Sequence, residues 1–179
     1  FEEKLMRILQ SLGLDKVTFK IKFETIEPCI RGADRIHFLF SANLGEELAP
    51  LSEVASGGEM SRFLLALKTI LSDNNASQVL FFDEIDAGVS GRVSLAIAKL
   101  LKQLSMSQQV FCITHQPLVA AAADQHFRVV KTVNNGVTSS NILSLSSVEE
   151  RQNELVELAG GNSVEAHAYA ASLLEQPAA

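Results

Sequence analysis

The 179-residue chain is 47% hydrophobic and 20% charged, the balance of a globular protein long enough to bury a core without staples. Its 15 Lys and Arg against 21 Asp and Glu leave a net charge of −6, which excludes a dominant nonspecific nucleic-acid surface on this segment, because such surfaces need clustered cations. Apolar stretches such as Val79–Phe82 and Leu118–Ala123 fall far short of the ~20 residues of a membrane helix, and no targeting segment is visible, so a membrane partner is not expected.

The chain opens on Phe1 rather than Met, as expected of a piece of a longer polypeptide. Phe1, Leu5, Ile8, Leu9 and Leu12 share one helical face and Gly13 ends the helix, which reads as the last turns of a longer helix entering from upstream. Val17, Phe19, Ile21 and Phe23 alternate with Thr18, Lys20, Lys22 and Glu24, the period of a half-buried strand with a solvated face. Ile36–Phe40 reads as another strand and Ser41–Ser56 as a loop containing Gly45 and Pro50. From Met60 through Phe63, Leu64, Leu67, Ile70 and Leu71 the apolar spacing is helical, until "SDNN" breaks it.

"QVLFFDE" is a short continuous apolar run, expected of a strand buried on both faces. A helix follows with Val93, Ile97, Leu100, Leu101 and Leu104 on its apolar side, then a second buried strand, "QVFCIT". Strand, helix and strand in this order predict a parallel crossover. "FRVVKTV", "NNG" and the run to Leu145 predict a hairpin, and two helices near 147–159 and 163–175 flank Gly160 and Gly161. The expected fold is α/β, a mainly parallel sheet flanked by helices with a terminal hairpin, with residues 1–13 entering and 14–179 forming one domain. Cys29 and Cys112 sit in apolar, strand-like contexts without metal-ligand spacing, which reads as two buried thiols in a reducing, cytoplasmic setting.

In an open parallel sheet, ligands bind beyond the carboxyl ends of the strands. There the first buried strand is followed by Asp83-Glu84-Ile85-Asp86 and the second by Thr114-His115. Carboxylates at a strand end are costly to bury unless compensated, and a divalent cation with its waters is the usual compensation. An Asp that orients Mg²⁺ beside a Glu that polarises water suits phosphoryl transfer. Asp86 is read equally as a cap for the next helix, and His115 alone as an ordinary hydrogen-bonded residue. "EVASGGEMSR", at 53–62, offers two readings as well. Serine and glycine favour helix starts, and a Ser-Gly-Gly turn also exposes consecutive N–H groups to a phosphate at a positive helix end.

Taken together, "ASGGE", "VLFFDE", "IDAGVSG" and "ITH" resemble the C-terminal half of an ABC-type ATPase head: signature motif, Walker B with its catalytic glutamate, D-loop and switch histidine. Glu59 followed by "MSR", and "DEIDAG" in place of a "DEPTSALD" type of string, point to the chromosome-maintenance, SMC-like branch and not to transporters. Within it, "FLFSANLGEELAPLSEVASGGEMSRFLLALK", "FFDEIDAGVSGRVSLAIAKLL" and "ITHQPLVAAAADQHFRVVK" closely resemble bacterial recombinational repair ATPases, over residues 36 to about 170.

The resemblance implies a head built from two ends of one chain with a coiled-coil arm between them, of which the helix at 1–12 is the return. It implies ATP and Mg²⁺ as ligands. Ser56, Gly57, Gly58 and Glu59 would meet the ATP of the opposite head of a homodimer. Asp83 would hold Mg²⁺, Glu84 would be the general base, and His115 would touch the γ-phosphate. Asp86, Ala87, Gly88 and Ser90 would form the D-loop that communicates across the dimer, Ser90 standing where many relatives carry aspartate. The implied partners are the chain's own N-terminal Walker A lobe, a second head, and DNA ends or single-stranded regions reached by the full-length protein during double-strand break repair, in a bacterial cytoplasm at the nucleoid. A P-loop needs G-x-x-x-x-G-K-[ST], and no glycine here is followed by lysine, so this segment alone is not expected to hydrolyse ATP. A head fragment of another SMC-like or transporter ATPase, and a noncatalytic dimerisation or DNA-binding module, are the rival readings.

Overall fold

The computed structural model describes residues 1–43, 45–54, 56–71, 78–89, 91–134 and 137–175. They belong to two compact units, Phe1–Ile113 and Thr114–Ala179.

The first unit begins with α1 (Glu2–Ser11), whose Leu5 and Leu9, with Leu12 beyond the helix, are fully buried. Gly13 ends the helix at φ 78°, where a Cβ would also stand 3.1 Å from Val93 Cγ2, so both backbone and packing require glycine. β1 (Thr18–Cys29) and β2 (Gly32–Ser41) form a long antiparallel hairpin, and β3 (Ala49–Pro50) adds to the β2 edge. The alternation that predicted a strand to Phe23 continues into this hairpin, with Phe23 opposite Ile36, Ile21 opposite Phe38 and Phe19 opposite Phe40. At its root the Phe19 and Phe40 rings lie 5.3 and 6.3 Å from that of Phe63, on the helix that carries "GGEMSR". Aromatic burial of this kind is a large share of a small core's stabilisation.

A short α2 (Leu51–Val54) precedes α3 (Gly57–Leu71), so the stretch expected as loop holds a strand and a helical turn. β4 (Val79–Phe82), α4 (Gly91–Ser105) and β5 (Gln109–Cys112) follow, with β4 and β5 paired in parallel from Val79–Gln109 to Phe82–Cys112. Val93, Ile97, Leu101 and Leu104 are the buried stripe of α4, as the spacing predicted. The expected parallel component is this pair; the other three strand pairings among the described residues are antiparallel. The continuous apolar runs led to the expectation of strands buried on both faces. In the first unit, Leu80 and Phe82 are buried, whereas Val79 and Phe81 are exposed, Phe81 by 73%. The Phe81 ring stacks on Phe111 at 4.7 Å, so the second face of the pair is apolar and uncovered. Cys29, at the hairpin tip, is exposed and Cys112 is half-buried, which corrects the expectation of two buried thiols.

The second unit holds α5 (Pro117–Ala121), a hairpin of β6 (His126–Asn134) and β7 (Val137–Leu145), and the helices α6 (Val148–Leu158) and α7 (Val164–Glu175). The hairpin and both late helices match the sequence expectation, although Asn135 and Gly136 of its turn lie outside the described residues. Ser147 and Glu150 cap α6 reciprocally, and Ala120, Leu155, Val156, Ala166 and Ala170 make the core of the unit. No helix among the described residues is long and apolar enough to cross a membrane.

Candidate functional site

The "SGG" turn becomes a helix end. Ser56 is the residue before α3, and its N–H donates to Glu59 Oε2 at 2.9 Å, while the Glu59 N–H reaches back to Ser56 Oγ at 3.4 Å. This reciprocal pair is a capping box, so the helix-cap reading of serine and glutamate is realised. It also commits the Glu59 carboxylate to the chain itself, which makes Glu59 a poor direct contact for an anion. Gly57 and Gly58 occupy the first turn of α3, where N–H groups have no acceptor within the helix and the macrodipole is positive.

Beyond β4, the acidic stretch folds as a tight turn. The Ala87 N–H donates to Glu84 O at 3.1 Å and the Val89 N–H to Asp86 O at 3.4 Å. Glu84 has φ 53° and is the one non-glycine residue in the left-handed region among those described. An L-residue held there costs on the order of 1–3 kcal/mol, and such strain concentrates at functional positions. Gly88, at φ 67°, closes the turn.

α3 and this turn are packed directly together. Ser61 Oγ donates to Asp83 O at 3.0 Å, and Arg62 Nη1 donates to Ala87 O at 3.2 Å and Ile85 O at 3.4 Å. A Cβ on Gly58 would come within 3.3 Å of Glu84 O, and one on Gly57 would lie 3.7 Å from Glu84 Oε2. The structure thus unites Ser56, Gly57, Gly58 and Glu59 with Asp83, Glu84, Asp86, Ala87 and Gly88. Asp83 and Glu84 are exposed, as are Ala87 and Gly88, whereas Asp86 is fully buried. Asp86 therefore offers no surface to a partner, and only Ala87 and Gly88 of the expected D-loop do so; Ser90 lies outside the described residues. His115 belongs to the second unit, where it is exposed with Nε2 3.4 Å from Gln116 Nε2.

The field at this strand end is negative. Burial pushes the Cys112 thiol up to about 12, and the charges of Asp86 and Asp83 add to the effect. No group of three or more His, Cys, Asp or Glu among the described residues could hold a metal ion by itself. Mg²⁺ needs no such cage, since it keeps its waters and takes one or two carboxylates plus substrate phosphates. The exposed Asp83 carboxylate fits that role. Two features were not foreseen: the left-handed Glu84, because residue type does not announce φ in a glutamate, and the Arg62 contact, because an Arg on an apolar helical stripe reads as surface.

No family model matches the chain. Over 194 aligned positions it is 49% identical to the DNA repair protein RecN of Synechocystis, covering 99% of this chain and 33% of that protein. It is 40% identical to RecN of Bacillus subtilis, over 83% of this chain and 28% of that one, and 39% identical to RecN of Deinococcus radiodurans, over 92% and 29%. The chain spans about a third of the length of these curated relatives. Among solved structures, the Smc head domain with a coiled coil and joint from Pyrococcus yayanosii aligns with a TM-score of 0.58 at 24% identity, over 84% of this chain and 27% of that one. A Pyrococcus furiosus Smc head with an extended coiled coil aligns at 0.51 and 22%, over 80% and 34%. These last two likenesses concern the fold.

Proposed function

Since this chain belongs to the family of RecN DNA repair proteins and shares the fold of Smc head domains, we propose that it is part of an ATPase head and that the longer protein binds ATP between two paired heads and hydrolyses it during recombinational DNA repair. The observation that carries the reading is the packing of the α3 N-terminus on the turn after β4, where Glu84 is held in the left-handed region. The N–H of the exposed Gly57, at the first turn of α3, suits the γ-phosphate of ATP bound by the opposite head, with the buried Gly58 packed behind it on the turn after β4. Glu84 is the general base that accepts a proton from the attacking water, and its strained backbone fixes the direction of its carboxylate. Mg²⁺ held by Asp83 and the phosphates would neutralise developing charge. Ala87 and Gly88 face the partner head, with Ser90 beside them in sequence, while the buried Asp86 anchors the turn from within. His115 serves as the γ-phosphate contact. The net charge of −6 leaves DNA contact to other parts of the full-length protein, which would act in the bacterial cytoplasm at the nucleoid.

The uncovered apolar face around Val79, Phe81 and Phe111 supports a further partner within the same polypeptide, a lobe bearing the P-loop that this segment lacks. The test is Glu84→Gln in the full-length protein. An amide cannot take the water's proton, so steady-state hydrolysis should fall at least about a hundredfold while ATP binding persists and paired heads accumulate. Near-normal turnover would remove Glu84 from the role of base, and retained binding without any ATP-dependent pairing in the wild type would favour a plain binding module.

A further inference from the structure

Arg62 is buried at 8% exposure on α3, between Ser61 and the buried Phe63. Its guanidinium forms no ion pair among the described residues that would explain a charge there. Instead Nη1 spans two carbonyls of the turn after β4, Ala87 O at 3.2 Å and Ile85 O at 3.4 Å, with Nη1 also 3.4 Å from where a Gly58 Cβ would be. At the preceding residue, Ser61 Oγ donates to Asp83 O at 3.0 Å. Between these anchors lies Glu84, whose own carbonyl accepts from Ala87 N–H and abuts Gly58. Three carbonyls of the turn, those of Asp83, Ile85 and Ala87, are thereby tied to Ser61 and Arg62 of α3 on either side of the strained Glu84. A planar, permanently charged donor with several N–H groups is the side chain able to bridge two carbonyls at once.

We propose that Arg62 is a positioning residue that clamps the Asp83–Gly88 turn to the N-terminus of α3, so that the Ser56–Gly58 turn and the Glu84 carboxylate move as one body. This rests on the reading above, in which the two features serve different nucleotides: Glu84 the ATP of its own head, Ser56–Gly58 that of the opposite head. A rigid link between them makes the two composite sites of a head pair report on each other, since a phosphate that pulls on one α3 N-terminus shifts the base of the other site. Burial lowers the Arg62 pKa and the Glu59 charge opposes this, which places the clamp in the same local field as the helix cap. Coupling of this kind would travel through one rigid piece that touches both sites.

The clamp is read first without nucleotide, by amide hydrogen exchange on the full-length protein. Arg62→Met should speed exchange at Ala87 and Val89 by at least about tenfold and leave the 65–71 amides of α3 unchanged. Ser61→Ala should give a smaller increase confined to the same turn, and Arg62→Lys, with one ammonium for two carbonyls, should restore part of the protection. In the second measurement, steady-state hydrolysis against ATP concentration should lose its cooperative slope in Arg62→Met and regain part of it in Arg62→Lys. Unchanged exchange in both Arg62→Met and Ser61→Ala overturns the clamp. So does a loosened turn with cooperativity intact. If Arg62→Met loosens the whole of α3, Ser61→Ala alone decides, and its failure to affect the turn overturns the clamp. The exchange result is independent of turnover, so normal hydrolysis by Glu84→Gln would defeat the catalytic reading without touching it.

Discussion

Glu84 shows how a single residue carries both strain and chemistry. At φ 53° it occupies a region that glycine enters freely and glutamate does not. Glu84→Gly should therefore raise the thermal stability of the protein, or leave it level, by up to about 1 kcal/mol once the greater freedom of glycine in the unfolded chain is counted. The same change should abolish turnover in the full-length protein. A loss of stability beyond about 1 kcal/mol in thermal unfolding would mean that the carboxylate, and not the backbone, is what the fold needs from this position. The string "VLFFDE" made Asp83 and Glu84 legible as site residues, since two carboxylates after four apolar residues demand an explanation. The strain was not legible, because residue type does not announce φ and the side chains bonded to the turn, Ser61 and Arg62, lie 22 and 25 positions away from their partners in sequence. Serine 56 was read two ways, and its bonds to Glu59 account for the cap.

At the scale of elements, the meeting of α3 with the turn after β4 sets how closely backbones must approach. Gly58 faces Glu84 O at 3.3 Å and Ala87 Cβ at 3.4 Å from its hypothetical Cβ, whereas Gly57 meets only Glu84 Oε2 at 3.7 Å. Gly58→Ala must displace backbone, and the helix-propensity gain of up to about 1 kcal/mol offsets that cost. Its stability should stay within about 1 kcal/mol of wild type while hydrolysis falls, because the turn that aims Glu84 has moved. Gly57→Ala meets no close atom and should fold at least as stably, yet it should weaken ATP-driven pairing of heads, since its methyl enters the phosphate cradle. Calorimetry and light scattering separate the two. Equal pairing in Gly57→Ala and wild type would argue that the first turn of α3 is only a cap.

Helical elements were the most legible as elements, and α4 keeps its predicted stripe, but α3 buries Arg62, Phe63, Leu65, Ala66 and Thr69 and leaves Leu64 exposed, because its contacts with the turn after β4 select a different face from the one the apolar spacing marks. The hairpin β1–β2 was read in two disconnected pieces, as its pairing goes on through Glu24 and Thr25 and resumes at Cys29 opposite Gly32 after a register irregularity, a stretch where charge and Pro28 break the alternation. α5 went unread because five residues are too few to show a period. The apolar runs of β4 and β5 were read as buried on both faces, whereas Leu80 and Phe82 are buried and Val79 and Phe81 are exposed, because residue type shows that a run is apolar and not which of its faces is covered.

For the whole molecule, the proposed P-loop lobe would cover the apolar face of Val79, Phe81 and Phe111. Phe81→Ser should cost the isolated segment at most about 1.5 kcal/mol, the worth of its stack on Phe111. In the full-length protein the same substitution should cost about 3 kcal/mol if another lobe covers the ring. Equal small effects in both would mean that the face stays in water.

The central claim is that each ATP site combines Glu84 of one head with Ser56–Gly58 of another, and mixing two inactive full-length variants tests it most directly. Ser56→Arg fills the phosphate position with a bulky cation and Glu84→Gln lacks the base, so each alone should be inactive. In a mixed pair, one site joins the intact Glu84 of the first variant to the intact Ser56–Gly58 turn of the second. With random pairing half the dimers are mixed and half their sites are whole, which predicts hydrolysis recovering to about a quarter of wild type at most, and rising with the square of head concentration at low protein. No recovery at any mixing ratio, with mixed pairs shown to form, would contradict the account and place both elements in the service of one head.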